Sequence, residues 1–217
     1  VLFPLFMGAY WSAGDSGSVV TARLAWVNAA ASAIICLLAP IFGTIADAGG
    51  LRKRFLFILT LVGSTATVAL AAVGEGGWLL ACLFFIVGSL GYYGSTIFYD
   101  SLIIDVTAPE NYSYVSSLGF AIGYFGGAVL LAFHVLMLTS PETWGFDGPT
   151  AVVRFAFVTV GVWWVLFALP TLLFVHERKR ATVVRRGVVR AAYRELRSTM
   201  RCIGQYRNVV IFLIAYW

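Results

Sequence analysis

Long charge-free apolar runs, separated by short polar turns, dominate this chain. Five of them can be read, at about 24–46, 55–74, 78–98, 117–138 and 155–175. Each reaches the roughly 18–20 residues a helix needs to cross a hydrocarbon core about 30 Å thick. Lipid offers backbone groups no hydrogen-bond partners, so spans of this kind form helices. Two partial runs flank the five, VLFPLFMGAYW at Val1–Trp11 and NVVIFLIAYW at Asn208–Trp217. The pattern predicts an all-α transmembrane protein with partial first and seventh helices, and we expect a piece of a longer chain. It divides into a transmembrane bundle over 1–176, a basic linker over 177–207 and the start of a further span over 208–217. No Lys or Arg precedes Arg23, so the first run lacks the basic flank of a signal peptide.

Composition agrees with that reading. Hydrophobic residues make up 60% and charged residues 12%, with a mean hydropathy of +0.89, far from soluble proteins. The 15 Lys and Arg then orient the chain. Arg52, Lys53 and Arg54 sit in one turn and ten more lie between Arg178 and Arg207, leaving only Arg23 and Arg154 for the opposite side. Cytoplasmic loops collect cations, which places 47–54 and 176–207 inside. The loop DVTAPENY must then also be inside, although it has no cation. Trp11, Trp78, Trp144 and Tyr10 fall near the outer boundary, as in an aromatic belt. Within the linker, Val184, Val188, Ala192, Leu196 and Met200 recur every four residues. Arg186, Arg190, Arg194, Arg197 and Arg201 occupy other faces. Such a basic amphipathic helix suits an anionic inner leaflet, or it is a solvated connector. Tethered between spans, it is a poor nucleic-acid surface, and none is expected as a partner. Cys36, Cys82 and Cys202 share no metal-like spacing and read as packing or incidental residues.

The turn between the second and third spans, GTIADAGGLRKRF, carries a pattern of its own: Gly43, Asp47, Gly50, Arg52 and Lys53. Gly43 permits close helix approach, and Gly49 and Gly50 allow turn angles closed to other residues. Asp47, at the membrane boundary, should have a partner. An ordinary inside-positive turn is the bland alternative. In sequence and position this stretch resembles the signature loop of the major facilitator superfamily. The resemblance implies a cytoplasmic latch in which the acid meets basic residues and a helix N-terminus of the second half.

A second stretch, Phe98 to Gly127, is similar to the autophagy-related vacuolar amino-acid effluxer-like branch of that superfamily. The matching positions are Tyr99, Asp100, Pro109, Glu110, Val115, Ser116, Gly119, Ala121, Gly123, Tyr124, Gly126 and Gly127. Tyr114 stands where a basic residue is usual, and Ile104 where Pro is common. Gly119, Gly123 and Gly127 fall on one helical face, suited to a moving or a static helix contact. Pro109 and Glu110 suit the first turn of the fifth span.

Few polar side chains lie inside the spans. Asn28, Asp100 and His134 are the notable ones, and Tyr92, Tyr93, Ser95, Thr96 and Tyr99 give the fourth span a hydrogen-bonding surface. His134 either carries a proton or is a neutral histidine bonded to a neighbouring helix. Asp100, near the interface, suits solvation or capping. The superfamily resemblance makes the fourth-span residues, with Tyr124, candidate contacts along a substrate or proton path. No nucleotide-binding loop, metal-ligand cluster or nucleophile–base pair appears, so neither an enzyme nor a cofactor is expected.

The resemblance implies the N-terminal six-helix half of a major facilitator fold, embedded in the lipid bilayer. It would be completed by a C-terminal half and move a small polar metabolite outward, neutral amino acids by family analogy. A membrane scaffold or receptor that retains the fold is the competing class. The membrane would be the cell membrane in a prokaryote or the vacuolar membrane in a fungus. Labelling tests the orientation: single cysteines at Ser18 and Thr143 should react from outside and one at Thr182 only from inside, whereas reversed labelling at all three overturns the topology.

Overall fold

A computed structural model describes residues 2–48 and 50–177, together with residues 193, 194, 197, 198, 201 and 211. A short helix α1, Leu2–Phe6, continues as a π-helical turn, Met7–Trp11. The long helices are α2, Gly17–Ala48; α3, Arg52–Ala69; α4, Trp78–Ser101; α6, Tyr112–Thr139; and α7, Pro149–Phe174. Between α4 and α6 lies the single turn α5, Ile103–Val106, followed by a 3₁₀ turn at Pro109–Asn111. Among the described residues five helices are long and apolar enough to cross a membrane, in the order the hydrophobic pattern predicts. The protein is a multi-pass membrane protein. Three starts move by five residues or more: α2 starts at Gly17 rather than near 24, α7 at Pro149 rather than near 155, and α6 at Tyr112 rather than near 117, where Pro109–Asn111 forms the tight entry turn.

The third span is the axle of the bundle. Its main packing partners are α4 and α7, while α2 lies against α4 and α6 against α7. Small residues make this packing close. A methyl carbon added at Gly91 of α4 would stand 2.5 Å from Cα of Gly63 and 2.8 Å from the carbonyl oxygen of Leu59. One added at Gly161 of α7 would stand 2.5 Å from Cγ2 of Val68 and 3.0 Å from the Ser64 carbonyl oxygen. Backbones that approach this far gain dispersion contact along the whole crossing, the main attraction between helices in lipid.

The glycines expected to pack do not. Side chains at Gly43, Gly123 and Gly127 would meet nothing within 4 Å among the described residues, and one at Gly119 would reach only the Tyr99 hydroxyl, at 3.7 Å. Spacing places Gly119, Gly123 and Gly127 on one face of α6, but apart from Tyr99 that face has no close neighbour among the described residues. Accordingly only 11% of the most apolar stretch of α2, and of α6, is buried, against 33% for α3.

Two cores hold the bundle. The outer one gathers Phe3, Phe6, Met7, Trp11, Val73 and Phe157. Trp11 is fully buried there, its indole N–H donating to the Val73 carbonyl at 3.4 Å. It is therefore a core residue, not the interfacial anchor its position suggests. Trp144 is exposed, and Trp78 lies under the Arg23 guanidinium, 4.0 Å from the ring centre. Arg23 also pairs with Asp15 at 2.6 Å, so one outer cation is neutralised locally. Arg154 donates to the Tyr10 hydroxyl at 2.7 Å and lies over its ring. The inner core contains Ala46, Leu56, Phe98 and Leu102. Cys82 is buried, whereas Cys36 is exposed and takes no part in packing; Cys202 lies outside the described residues. So do the apolar linker positions 184, 188, 192, 196 and 200, although Arg194, Arg197 and Arg201 are helical and exposed.

Overpacking a tight site costs about 1–3 kcal/mol. Gly91→Ala should therefore lower the unfolding temperature of the full-length protein in detergent. Gly17→Ala, where a side chain meets nothing within 4 Å, should leave it unchanged. Equal melting of both variants would contradict the α3–α4 contact.

Candidate functional site

The turn that joins α2 to α3 rests on Gly50, whose φ of +75° lies in the left-handed region that glycine enters without penalty. The chain reverses there and delivers Arg52 as the first residue of α3. Its side chain turns into the protein rather than out to water and is only 2% exposed. Nε donates to the Ala46 carbonyl at 2.8 Å, and a terminal nitrogen reaches Asp105 Oδ2 at 2.8 Å and the Ser101 carbonyl at 3.4 Å. The Asp105 carboxylate is equally dry, at 3%. One guanidinium thus ties the end of α2, the end of α4 and the turn α5. Beneath it lies an aromatic floor, with Phe55 and Phe98 stacked at 5.1 Å and Phe42 beside Phe98 at 5.8 Å.

The start of α3 carries unsatisfied N–H groups, and Leu51 offers no side-chain cap. Glu177, just past α7, supplies one from across the bundle. Its carboxylate accepts from the backbone N–H of Arg52 at 2.9 Å and of Lys53 at 3.4 Å. An anion at a helix N-terminus is also favoured by the helix dipole. The Lys53 ammonium returns the contact, donating to the Val175 carbonyl at the end of α7 at 2.7 Å. The two helix ends are clasped reciprocally, carboxylate to N-terminus and ammonium to C-terminus. Beside the clasp a cleft of about 590 Å³ is lined by Arg52, Asp105, Thr107, Pro109 and Tyr112.

Within this turn the buried charge is Arg52, and Asp47 is not the residue that finds a partner. Asp47 is exposed and has no ion-pair partner among the described residues. Sequence reading missed both Asp105 and Glu177. A signal for Asp105 was present: the cation-free loop it opens lies on the same side as the three cations of 52–54. Glu177 gave no such signal, since capping from 125 residues away leaves no local pattern.

The fourth-span residues fall on two sides of α4. Ser95 is buried with Gly91, Gly94 and Phe98, its hydroxyl donating to the Tyr92 carbonyl at 2.9 Å. Tyr92, Tyr93 and Tyr99 are each about half exposed, and Asp100 is exposed beside them. Thr96 donates to the Tyr92 carbonyl at 3.0 Å. The Tyr92 and Tyr93 rings meet edge to face at 5.3 Å, and Trp164 of α7 lies 6.0 Å from Tyr92. Asn28 is exposed but donates to the Leu24 carbonyl of its own helix at 2.7 Å, and Tyr124 on α6 is exposed. His134 joins neither surface. It is buried, with Nε2 2.8 Å from the Thr159 hydroxyl of α7, the geometry of a histidine that bonds two helices together. Thr159 Oγ1 also lies 3.0 Å from the Phe155 carbonyl.

The family described as "Vacuole effluxer Atg22 like" matches residues 17–110 and 108–217. An uncharacterized MFS-type transporter of Bacillus subtilis (strain 168), YxiO, is 34% identical over 218 residues. That alignment covers 100% of this chain and 51% of the relative, so the chain spans about half the length of the curated protein it matches. No solved structure matches it. With the family matched along nearly the whole chain and a relative aligned from end to end, the chain belongs to the vacuole effluxer Atg22-like family of the major facilitator superfamily.

Proposed function

We propose that the full-length protein is a secondary active transporter that works by alternating access, with this chain as its N-terminal half. The observation that carries the reading is a division of labour at the inner end. The Arg52–Asp105 pair and the Lys53–Glu177 clasp fasten α2, α3, α4 and α7 into one block. Asp47, one residue beyond the carbonyl that Arg52 holds, stays exposed. A rocking transporter needs both properties, a half that moves as a body and a charge free to make and break contact with its partner. The largely unburied α2 and α6 supply the surfaces for a second half, and the polar face of α4 a path for substrate. The substrate is a small polar metabolite; the family's description as an effluxer supports export, and neutral amino acids are the class proposed. Flux of labelled leucine in proteoliposomes of the full-length protein, against empty vesicles, tests transport.

The block and the latch predict opposite outcomes for two carboxylates. Removing one partner of a buried ion pair costs about 3–5 kcal/mol, so Asp105→Asn should sharply reduce folded protein. Arg52→Met combined with Asp105→Leu should recover part of that loss. Asp47→Asn should leave folding intact yet redistribute inward- and outward-facing states. A charged hydrogen bond contributes about 1.5–3 kcal/mol, and about 1.4 kcal/mol changes a population ratio tenfold. Folded yield, leucine flux and cytoplasmic cysteine accessibility separate the two. Normal flux and accessibility in Asp47→Asn would remove the latch.

A further inference from the structure

The exposed face of the inner half of α4 has a chemistry that generic transport leaves unexplained. Tyr93, Thr96 and Asp100 follow one another at three- and four-residue spacing and so share a stripe of the helix. Gly91, Gly94, Ser95 and Phe98 occupy the buried side. A carboxylate turned toward hydrocarbon would be costly, so this stripe faces water or polar protein rather than lipid.

The placement of Asp100 is itself unfavourable. It lies in the last turn of α4, which contains no basic residue, and a carboxylate there faces the negative end of the helix dipole. Some of the other charges near the spans have partners: Arg23 pairs with Asp15, Arg52 with Asp105, and the Lys53 ammonium donates to the Val175 carbonyl. Asp100 has no ion-pair partner among the described residues, and no cation lies on its stripe. A local rule broken without compensation among the described residues points to a functional role for this carboxylate. Tyr99 precedes Asp100 in the chain and Thr96 lies one turn before it on the same stripe, and about two turns away the Tyr92–Tyr93 pair extends toward Trp164. Tyrosine faces attract cations and their edges pack apolar groups.

We infer that this stripe is a subsite for the cationic nitrogen of an amphipathic organic cation. Asp100 is its counter-ion, Tyr99 and Thr96 flank it, and Tyr92 and Tyr93 receive the apolar body. A carboxylate on the substrate is neither required nor recognised by this stripe, which offers it no cation. The inference rests on the transport reading and narrows the substrate to molecules that carry a positive nitrogen.

The test uses the full-length protein in proteoliposomes with labelled phenyltrimethylammonium, a permanent cation with an aromatic body. Flux above empty vesicles should be competed by phenethylamine but not by its N-acetyl derivative or by hydrocinnamate. Asp100→Asn should weaken apparent affinity about tenfold or more, and Asp100→Glu should restore most of it. Tyr93→Leu should weaken it with the charge retained. Leucine flux without phenyltrimethylammonium flux, or unchanged affinity in Asp100→Asn, would overturn the subsite while transport stands. Absence of flux for both leucine and phenyltrimethylammonium would sink the transport reading and the subsite with it.

Discussion

A guanidinium removed from water must be matched on every side, and the inner end of this bundle is organised around that requirement. Arg52 cannot leave its pocket cheaply, because Asp105 would stay behind as an unpaired buried charge. Nor can α2, α4 or α5 drift from one another, since a single planar group reads a carbonyl from each of the two helices and the carboxylate of the third element. An apolar contact of the same size would tolerate sliding; directed bonds from one rigid fork do not. The specificity of this junction, more than its net stability, is what the pair supplies.

The outer end meets a similar problem with weaker means. Arg23 lies on an indole and beside a partly exposed carboxylate, and Arg154 rests on a tyrosine. The Arg23–Asp15 contact keeps partial solvent access and gives a softer closure than the dry pair below. The π-helical turn that carries Tyr10 and Trp11 is pinned by side-chain bonds to Arg154 and Val73 instead of by a buried charge.

The spans were legible because a membrane imposes length and apolarity on each helix separately, and no tertiary knowledge is needed to read either. Partners are another matter. Asp100 and Asp105 both lie at the inner end of the fourth span, yet one faces water and the other is sealed under α2; only the turn after Ser101 decides between them. The cation-free loop that sat awkwardly with the inside-positive rule is explained by the same contact, for it brings the acid that the neighbouring cations need. Glycine spacing showed a similar limit. Gly119, Gly123 and Gly127 mark a face as clearly as any pattern can, but the close crossings are made by Gly63, Gly91 and Gly161, whose neighbours are set by the order of helices around α3.

The cap on α3 has a bearing on how the protein is made. Glu177 lies 125 residues beyond the N–H groups it satisfies, so the axle of the bundle enters the membrane before its own cap exists. At synthesis rates of roughly 5–20 residues per second, about 6–25 s separate the two. During that interval the leading end of the third span is held through the Arg52 side chain alone, first by the Ala46 carbonyl and then by Ser101 and Asp105 once they emerge. Assembly of this bundle is therefore sequential from the ribosome's side: the charge pair closes first, and emergence of α7 and Glu177 then completes the junction. A ribosome stalled before Glu177 would leave the third span still open at its inner end.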